Sequence, residues 1–487
     1  MDWKLKLKAL LHDPPYKMLM FDSDKKEMIN WKIIKAPHKN RSDHSEHEVW
    51  AEELLNYIFY KECIKDEDVE NADKFASAQS RIIVRPEIRD KNKETKFEKE
   101  TLFDFSQIEF IDIFSKKREK CEAPDYEKVT KLFSNLENLI VNSKIDEEAK
   151  FVFLFLWRFY PEIFPEINKH PADSRAPNHS IYDHLVQTSA IVSALPSPAF
   201  LLFTIGSVQS FISKARKTSD LWAGSYMLSY LIWESMKILV EKLGPDVIIY
   251  PNLLGQPLVD RWLGDYKFSG KTFKKILDTK FKDESWFKKF IDNAYLEEKL
   301  TVANLPNRFL AVIPYDNKNW EQECQGAFEK KLKDFAKKVY EKVKNYSKNQ
   351  NLQNDIKKHL SFYFQVYWVI MPWTKDEIYK PPSRRNFQSE EEYNKACEEY
   401  KKEFVLPVLE DYKELFAETE LYKTIQEIVN HPYYKPANVG SAYSLLLELT
   451  EKLLGARKSV RDFKQIEQPR EKCNLCGEFE ALEIDWS

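Results

Sequence analysis

Apolar residues recur three and four positions apart through the first third of the chain, in LKLKALL, EVWAEELLNYIFY, YEKVTKLFSNLENLIVN and EEAKFVFLFLWRFY. That spacing predicts amphipathic helices, so residues 1–196 read as an all-α domain. Pro196 and Pro198 interrupt the pattern, and AFLLFTIG, closed by Gly206, has the short continuous apolar run of a buried strand. A long amphipathic helix follows through LWAGSYMLSYLIWESMKILVEKL. Gly244-Pro245 ends it, and DVIIYP supplies a second strand. Further strands are expected over Arg308–Pro314 and Phe362–Trp373, with a lysine-rich helix from Trp320 to about Tyr346 between them. This order predicts an α+β domain over 197–375, with helices on one face of a mostly antiparallel sheet. From 376 to 487 a charged connector leads into a helical segment that ends in the basic stretch Ala456–Arg461 and then a C-x-x-C element.

Composition removes several functions. The 487 residues contain ten glycines, about 2% against a usual value of roughly 7%; none precedes Gly206 and no two are adjacent. Dinucleotide-binding, P-loop and Gly-Gly-Asp-Asp turns all need clustered glycines. All three are excluded from this sequence. The formal net charge is −3, so no global basic field advertises nucleic-acid binding. Six scattered cysteines favour a reducing compartment, and the N-terminus has no signal-peptide core, so a cytoplasmic protein is expected and no membrane partner.

Seven of the nine histidines lie before residue 185. His12-Asp13, followed by Pro-Pro-Tyr-Lys17, ends a helical segment, where an imidazole and a carboxylate can reach one metal. His47 begins a second helix in DHSEHEVW, Asp73 sits among the small residues of NADKFASA, and His184 shares a helix face with Thr188 and Ile191. Each has a bland reading as a cap, a solvated polar cluster or a satisfied core histidine. Together they point to a metal-dependent phosphohydrolase site, and imidazole with carboxylate suits Mn, Ni or Mg.

HDPPYK, DSRAPNHSIYDHLVQTSAIVSAL, FTIGSVQSFISKARKTSDLWAGSYMLSYLIW, GPDVIIYPNLLGQPLVDRW, LPNRFLAVIP and KCNLCG, in that order, resemble the large subunit of type III-B (Cmr) CRISPR effector complexes. The resemblance implies a circularly permuted HD-type helical domain, a ferredoxin-like polymerase palm and a zinc module. His184 would supply the first histidine of the HD pattern, His12 and Asp13 the dipeptide, and Asp73 the last aspartate. Lys17 and His47 would be accessory phosphate or metal contacts. Gly206, Ser207, Val208 and Gln209 resemble the first-palm loop that faces ATP during cyclic oligoadenylate synthesis; the catalytic Gly-Gly-Asp-Asp palm is expected beyond this sequence. Cys473 and Cys476 look like half of a zinc site whose partner cysteines are likewise expected downstream, so the chain reads as the N-terminal portion of such a subunit or the first half of a split one.

The implied function is RNA-guided antiviral interference with other Cmr subunits, CRISPR RNA and target RNA, and cleavage of single-stranded DNA by the HD site. Two alternatives stay open: a non-catalytic scaffold with a vestigial HD domain, and a stand-alone HD-type nucleotide phosphohydrolase.

Overall fold

Helix α1 (Trp3–Leu11) starts where the Asp2 carboxylate caps it, accepting from the backbone N–H of Lys4 and Leu5 at 2.9 and 3.0 Å. In this computed structural model the described residues are 1–13, 66–80, 147–172, 179–374, 379–431, 435–460, 467–474 and 476–484, with short pieces between 21 and 136. The chain is a mixed α+β protein that folds as two compact units: residues 1–198 with 263–293 and 373–447, and residues 199–262 with 294–372 and 448–487. This division differs from the contiguous 1–196, 197–375 and 376–487 expected from the sequence.

In the first unit α1 packs against α2 (Glu67–Ser80), α3 (Glu148–Ile163) and α4 (Ile181–Val192). Nearly every residue of α3 from Lys150 to Tyr160 is buried, so the helix needs cover on all sides. Residues 263–293 provide part of it. Phe151 meets Phe268 and Phe273 at ring-centroid distances of 5.2 Å, and Phe155 stacks on Phe281 at 5.6 Å. Lys150 is buried by its partners rather than by periodicity: its Nζ donates to the Tyr266 hydroxyl at 2.6 Å and lies over the Trp3 ring.

The second unit holds a four-stranded sheet of β1 (Pro198–Ile205), β2 (Ile248–Tyr250), β3 (Arg308–Pro314) and β4 (Val366–Pro372), in the order β4-β1-β3-β2. β4 pairs antiparallel with β1 from Val366↔Ile205 to Pro372↔Ala199, and β2 pairs antiparallel with β3. After β1 come the short α5 (Val208–Ile212) and the long α6 (Thr218–Leu243), which ends where Gly244 takes φ +110°. α10 (Trp320–Val343) follows β3; in the sequence α7 (Pro257–Asp265), α8 (Phe273–Lys280) and α9 (Ser285–Ala294) come between β2 and β3, with α8 and nearly all of α9 belonging to the first unit. The strand–helix–strand–strand–helix–strand core, ordered 4-1-3-2, is the split β-α-β arrangement of ferredoxin-like folds.

One predicted strand was too long. Phe362 and Tyr363 end α11 (Leu352–Tyr363), a helix the sequence did not suggest, and β4 begins only at Val366.

The helical segment expected after residue 405 is divided into α13 (Leu406–Phe416), α14 (Glu420–Asn430) and α15 (Tyr443–Ser459), preceded by α12 (Glu390–Tyr400). Residues 471–481 then turn back on themselves: Cys473 N–H donates to Phe479 O at 2.7 Å and Ala481 N–H to Glu471 O at 2.8 Å. Arg470 ties this turn to α11, donating to Asp355 at 2.5 Å and Glu480 at 3.0 Å. Burial opposes ionisation of Asp355, but hydrogen bonds from Asn349 and Arg470 hold its carboxyl below the ordinary range, and the Arg470 bond is the main cause that holds Glu480 low as well.

Candidate metal centre

Three helices of the first unit bring the histidines and carboxylates together. α1 is pinned to α4 by Lys6, a fully buried residue whose Nζ donates to Ser193 Oγ and to the Ser189 carbonyl, with the ring of Phe153 5.0 Å away. That anchor sets His12 and Asp13, just past the end of α1, against α4. α4 starts at a capping box between Ser180 and Asp183, and Tyr182 fixes it to α3 by donating to the Trp157 carbonyl. His184, one turn in, is thereby aimed at α2, where Asp73 accepts from its Nε2 at 2.9 Å.

Ligand atoms of His12, Asp13 and His184 all lie within 4.8 Å of one another. The His12 and His184 ring centroids are 5.4 Å apart. Asp73 closes the fourth side, with its Oδ1 3.7 Å from His12 Nε2, while Asp13 Oδ2 is 3.8 Å from the same nitrogen. Both carboxylates stand beyond hydrogen-bond reach of His12 Nε2, which is buried with no hydrogen-bond partner among the described residues. The other ring nitrogen is committed: Nδ1 donates to the Ala9 carbonyl at 2.7 Å. A proton held on Nδ1 leaves the Nε2 lone pair free, the tautomer a metal-binding histidine presents.

Burial works against the His12 imidazolium, but the Asp13 and Asp73 carboxylates outweigh it and raise the His12 pKa. Loss of water likewise opposes ionisation of Asp73. The flanking His12 and His184 imidazoles overcome this and hold its carboxyl well below the usual range. A site that keeps a carboxylate ionised between two imidazoles, with one nitrogen lone pair unused, fits a divalent cation of the Mn, Ni or Mg type.

Lys17 and His47 lie outside the described residues. Sequence reasoning passed over two neighbours, His170 and His179. The His179 ring centroid is 5.8 Å from that of His184, and the backbones of the segments that carry His170 and His179 are paired, Ile181 N–H donating to His170 O at 2.8 Å. Their signal was present in HPADSRAPNHS, immediately before α4.

The other two candidate sites lie in the second unit. Gly206 leaves β1 with its N–H donating to Gln365 O at 2.6 Å, and Ser207 takes a left-handed conformation with φ +69° before α5 begins at Val208. A Cβ on Gly206 would lie 3.3 Å from the Tyr367 ring, so a glycine suits this exit from the strand. Ser207 and Gln209 are exposed, Val208 half-buried. Cys473 and Cys476 are half-buried cysteines in the turn at 471–481, where Gly477 has φ +68°. Among the described residues no further cysteine, histidine or carboxylate joins them as a metal cluster. Two thiolates alone do not fit tetrahedral zinc, which takes four ligands.

Comparison with known proteins agrees with the fold. Residues 200–341 match the family described as "CRISPR-associated protein Cmr2, N-terminal". The chain is 24% identical over 550 aligned residues to the protein named CRISPR system Cmr subunit Cmr2 of Pyrococcus furiosus, covering 98% of this chain and 52% of that protein. It is 29% identical over 326 residues to CRISPR system CMR subunit Cmr2 of Saccharolobus solfataricus, covering 63% of this chain and 29% of that protein. The chain thus spans about half the length of the first relative and less of the second. Its fold is similar to that of a chain in the structure titled "Type III-B Cmr-beta Cryo-EM structure of the Apo state", with TM-score 0.54 and 20% identity over 99% of this chain and 45% of that one.

Proposed function

We propose, from the match of residues 200–341 to the Cmr2 family, that the chain is a Cmr2-type subunit of a type III-B RNA-guided effector complex with a metal-dependent phosphodiesterase centre acting on single-stranded DNA. His12, Asp13 and His184 would hold the cation, with Asp73 orienting His184 or joining the ligands. The cation would supply a water acidified toward neutral pH and a counter-charge for the phosphoryl oxygens. The chain's own contribution is to fix the His12 tautomer through Ala9, to keep Asp73 ionised and to present the lone pair of His12 Nε2. That unpartnered nitrogen is the single observation that carries the reading.

Lys17 and His47 would neutralise substrate phosphate. In the same proposal the Gly206–Gln209 loop forms one wall of an ATP site, opposite a palm whose catalytic turn this sequence does not contain. Cys473 and Cys476 would hold zinc together with ligands from outside the described residues. The partners would be the other Cmr subunits, CRISPR RNA and target RNA. A reducing cytoplasm is the proposed compartment, in keeping with the scattered cysteines of the sequence. Among the described residues no helix is long and apolar enough to cross a membrane.

The test is incubation of purified protein with single-stranded DNA and Mn, Ni or Mg. Cleavage is expected, and His12→Ala/Asp13→Ala should slow it more than about 100-fold, since even groups that only support a metal ligand cost 10–100-fold. A docking subunit with a vestigial centre is the second reading. The direct Asp73–His184 hydrogen bond favours it, because that bond satisfies two of the four groups without a cation. Equal residual cleavage by wild type and variant selects this reading.

A further inference from the structure

The α10–α11 helix pair carries a charge that the rest of the chain lacks. Between residues 320 and 363 there are ten lysines and six acidic residues, in a protein with a formal net charge of −3. Some of these charges are already engaged: Lys331 with Glu234 at 3.5 Å, Lys344 with Glu341 at 2.6 Å, and Asp355 with Arg470. Lys333 and Lys337, one turn apart on α10, and Lys357 on α11 are exposed, and no ion pair engages them among the described residues.

These three lysines border a cavity of about 620 Å³ between the two helices. Its apolar lining is Phe328, Leu332, Ala336, Leu360, Phe364 and Val366. Two carboxylates also border it, Asp334 and Glu329, and Glu329 already accepts from Gln325 at 3.0 Å. The cavity reaches Val366, the first residue of β4, an edge strand whose seven residues are all half-buried.

We propose that this groove seats an acidic amphipathic helix of a protein partner, its apolar residues packing against the half-buried Leu360 and Val366 over a buried floor of Phe328, Leu332, Ala336 and Phe364, and its carboxylates meeting Lys333, Lys337 and Lys357. The lining favours this over a nucleic-acid strand. Phe328 and Phe364 are 2% and 4% exposed, so neither offers a ring face for a base to stack on. No arginine lies between residues 320 and 363 to fork onto a phosphate. The proposal is independent of the metal centre, which lies in the other unit.

The full chain is titrated against a fluorescein-labelled helical peptide of about 18 residues, long enough to hold a helix, with leucine on one face and glutamate elsewhere. A leucine–lysine counterpart, oligo-U and oligo-dT serve as the other arms. The leucine–glutamate peptide is expected to bind saturably. Its Kd should rise about tenfold in Lys333→Glu/Lys337→Glu, and by a similar factor in Leu360→Asp. Lys357→Glu, a single exposed change, should weaken binding in the same direction. Circular-dichroism melts establish that each variant remains folded. The proposal is overturned if the leucine–glutamate peptide does not saturate, if the leucine–lysine peptide binds as well, or if the lysine variants bind like wild type. Oligonucleotide binding that displaces the peptide and is lost in the same variants would assign the surface to nucleic acid and overturn it equally.

Discussion

His170 is fully buried, and burial together with the adjacent Lys169 pushes its pKa down to about 4. An unfolded histidine titrates near 6.5, so between these values the unfolded chain binds a proton that the folded chain refuses. Stability from this group is complete above about pH 6.5 and is lost as pH falls toward 4, up to about 3 kcal/mol. Urea unfolding from about pH 7 to about pH 4.5 should show wild type losing stability faster than His170→Leu; parallel profiles would remove His170 as the cause. His12, Asp13, Asp73 and His184 could be singled out in the sequence because metal chemistry depends on residue type. The burial of Lys6 could not. In LKLKALL it reads as the polar side of an amphipathic helix, yet it is fully buried because its partners Ser189 and Ser193 lie more than 180 residues away, where periodicity carries no information.

At the scale of elements, Gly440 sets how closely the chain can approach α2. A Cβ there would lie 2.3 Å from the Phe75 carbonyl oxygen and 3.0 Å from Phe75 Cα, contacts with backbone that no rotamer relieves. Asn438 secures the approach, donating to the Lys74 carbonyl at 3.2 Å and accepting from Gly440 N–H at 2.9 Å. Gly440→Ala should cost about 1–3 kcal/mol, read by thermal melting, and shift α2 together with Asp73. An unchanged melt would show that α2 moves freely at this point. Element boundaries were legible where the apolar pattern was dense: Arg308–Pro314 is the strand read from RFLAVIP. α11 was missed because NLQNDIKKHL shows only Leu352, Ile356 and Leu360 at four-residue spacing among polar neighbours, and Phe362-Tyr363 then looked like the start of the next strand.

For the whole molecule, reading along the chain gave contiguous domains, whereas packing gave interleaved ones. Phe268, Phe273, Phe281 and Phe287 belong with α3 because that helix is apolar on every side, which no local composition shift announces. The glycine map bears on activity at this scale. With no adjacent glycines in 487 residues, the chain incubated alone with ATP and Mg should yield no cyclic oligoadenylate by mass spectrometry. Detecting any would show that a clustered-glycine turn is dispensable. The interleaving also sets an order in time. Asn438, which braces α2, is 364 residues downstream of the Lys74 carbonyl it holds, an interval on the order of tens of seconds at ordinary rates of translation. Until then the helix bearing Asp73 lacks one of its walls, so a nascent chain already displaying His12, Asp13 and His184 has not yet finished the centre they belong to, and any chemistry performed there waits until Asn438 and Gly440 have been made.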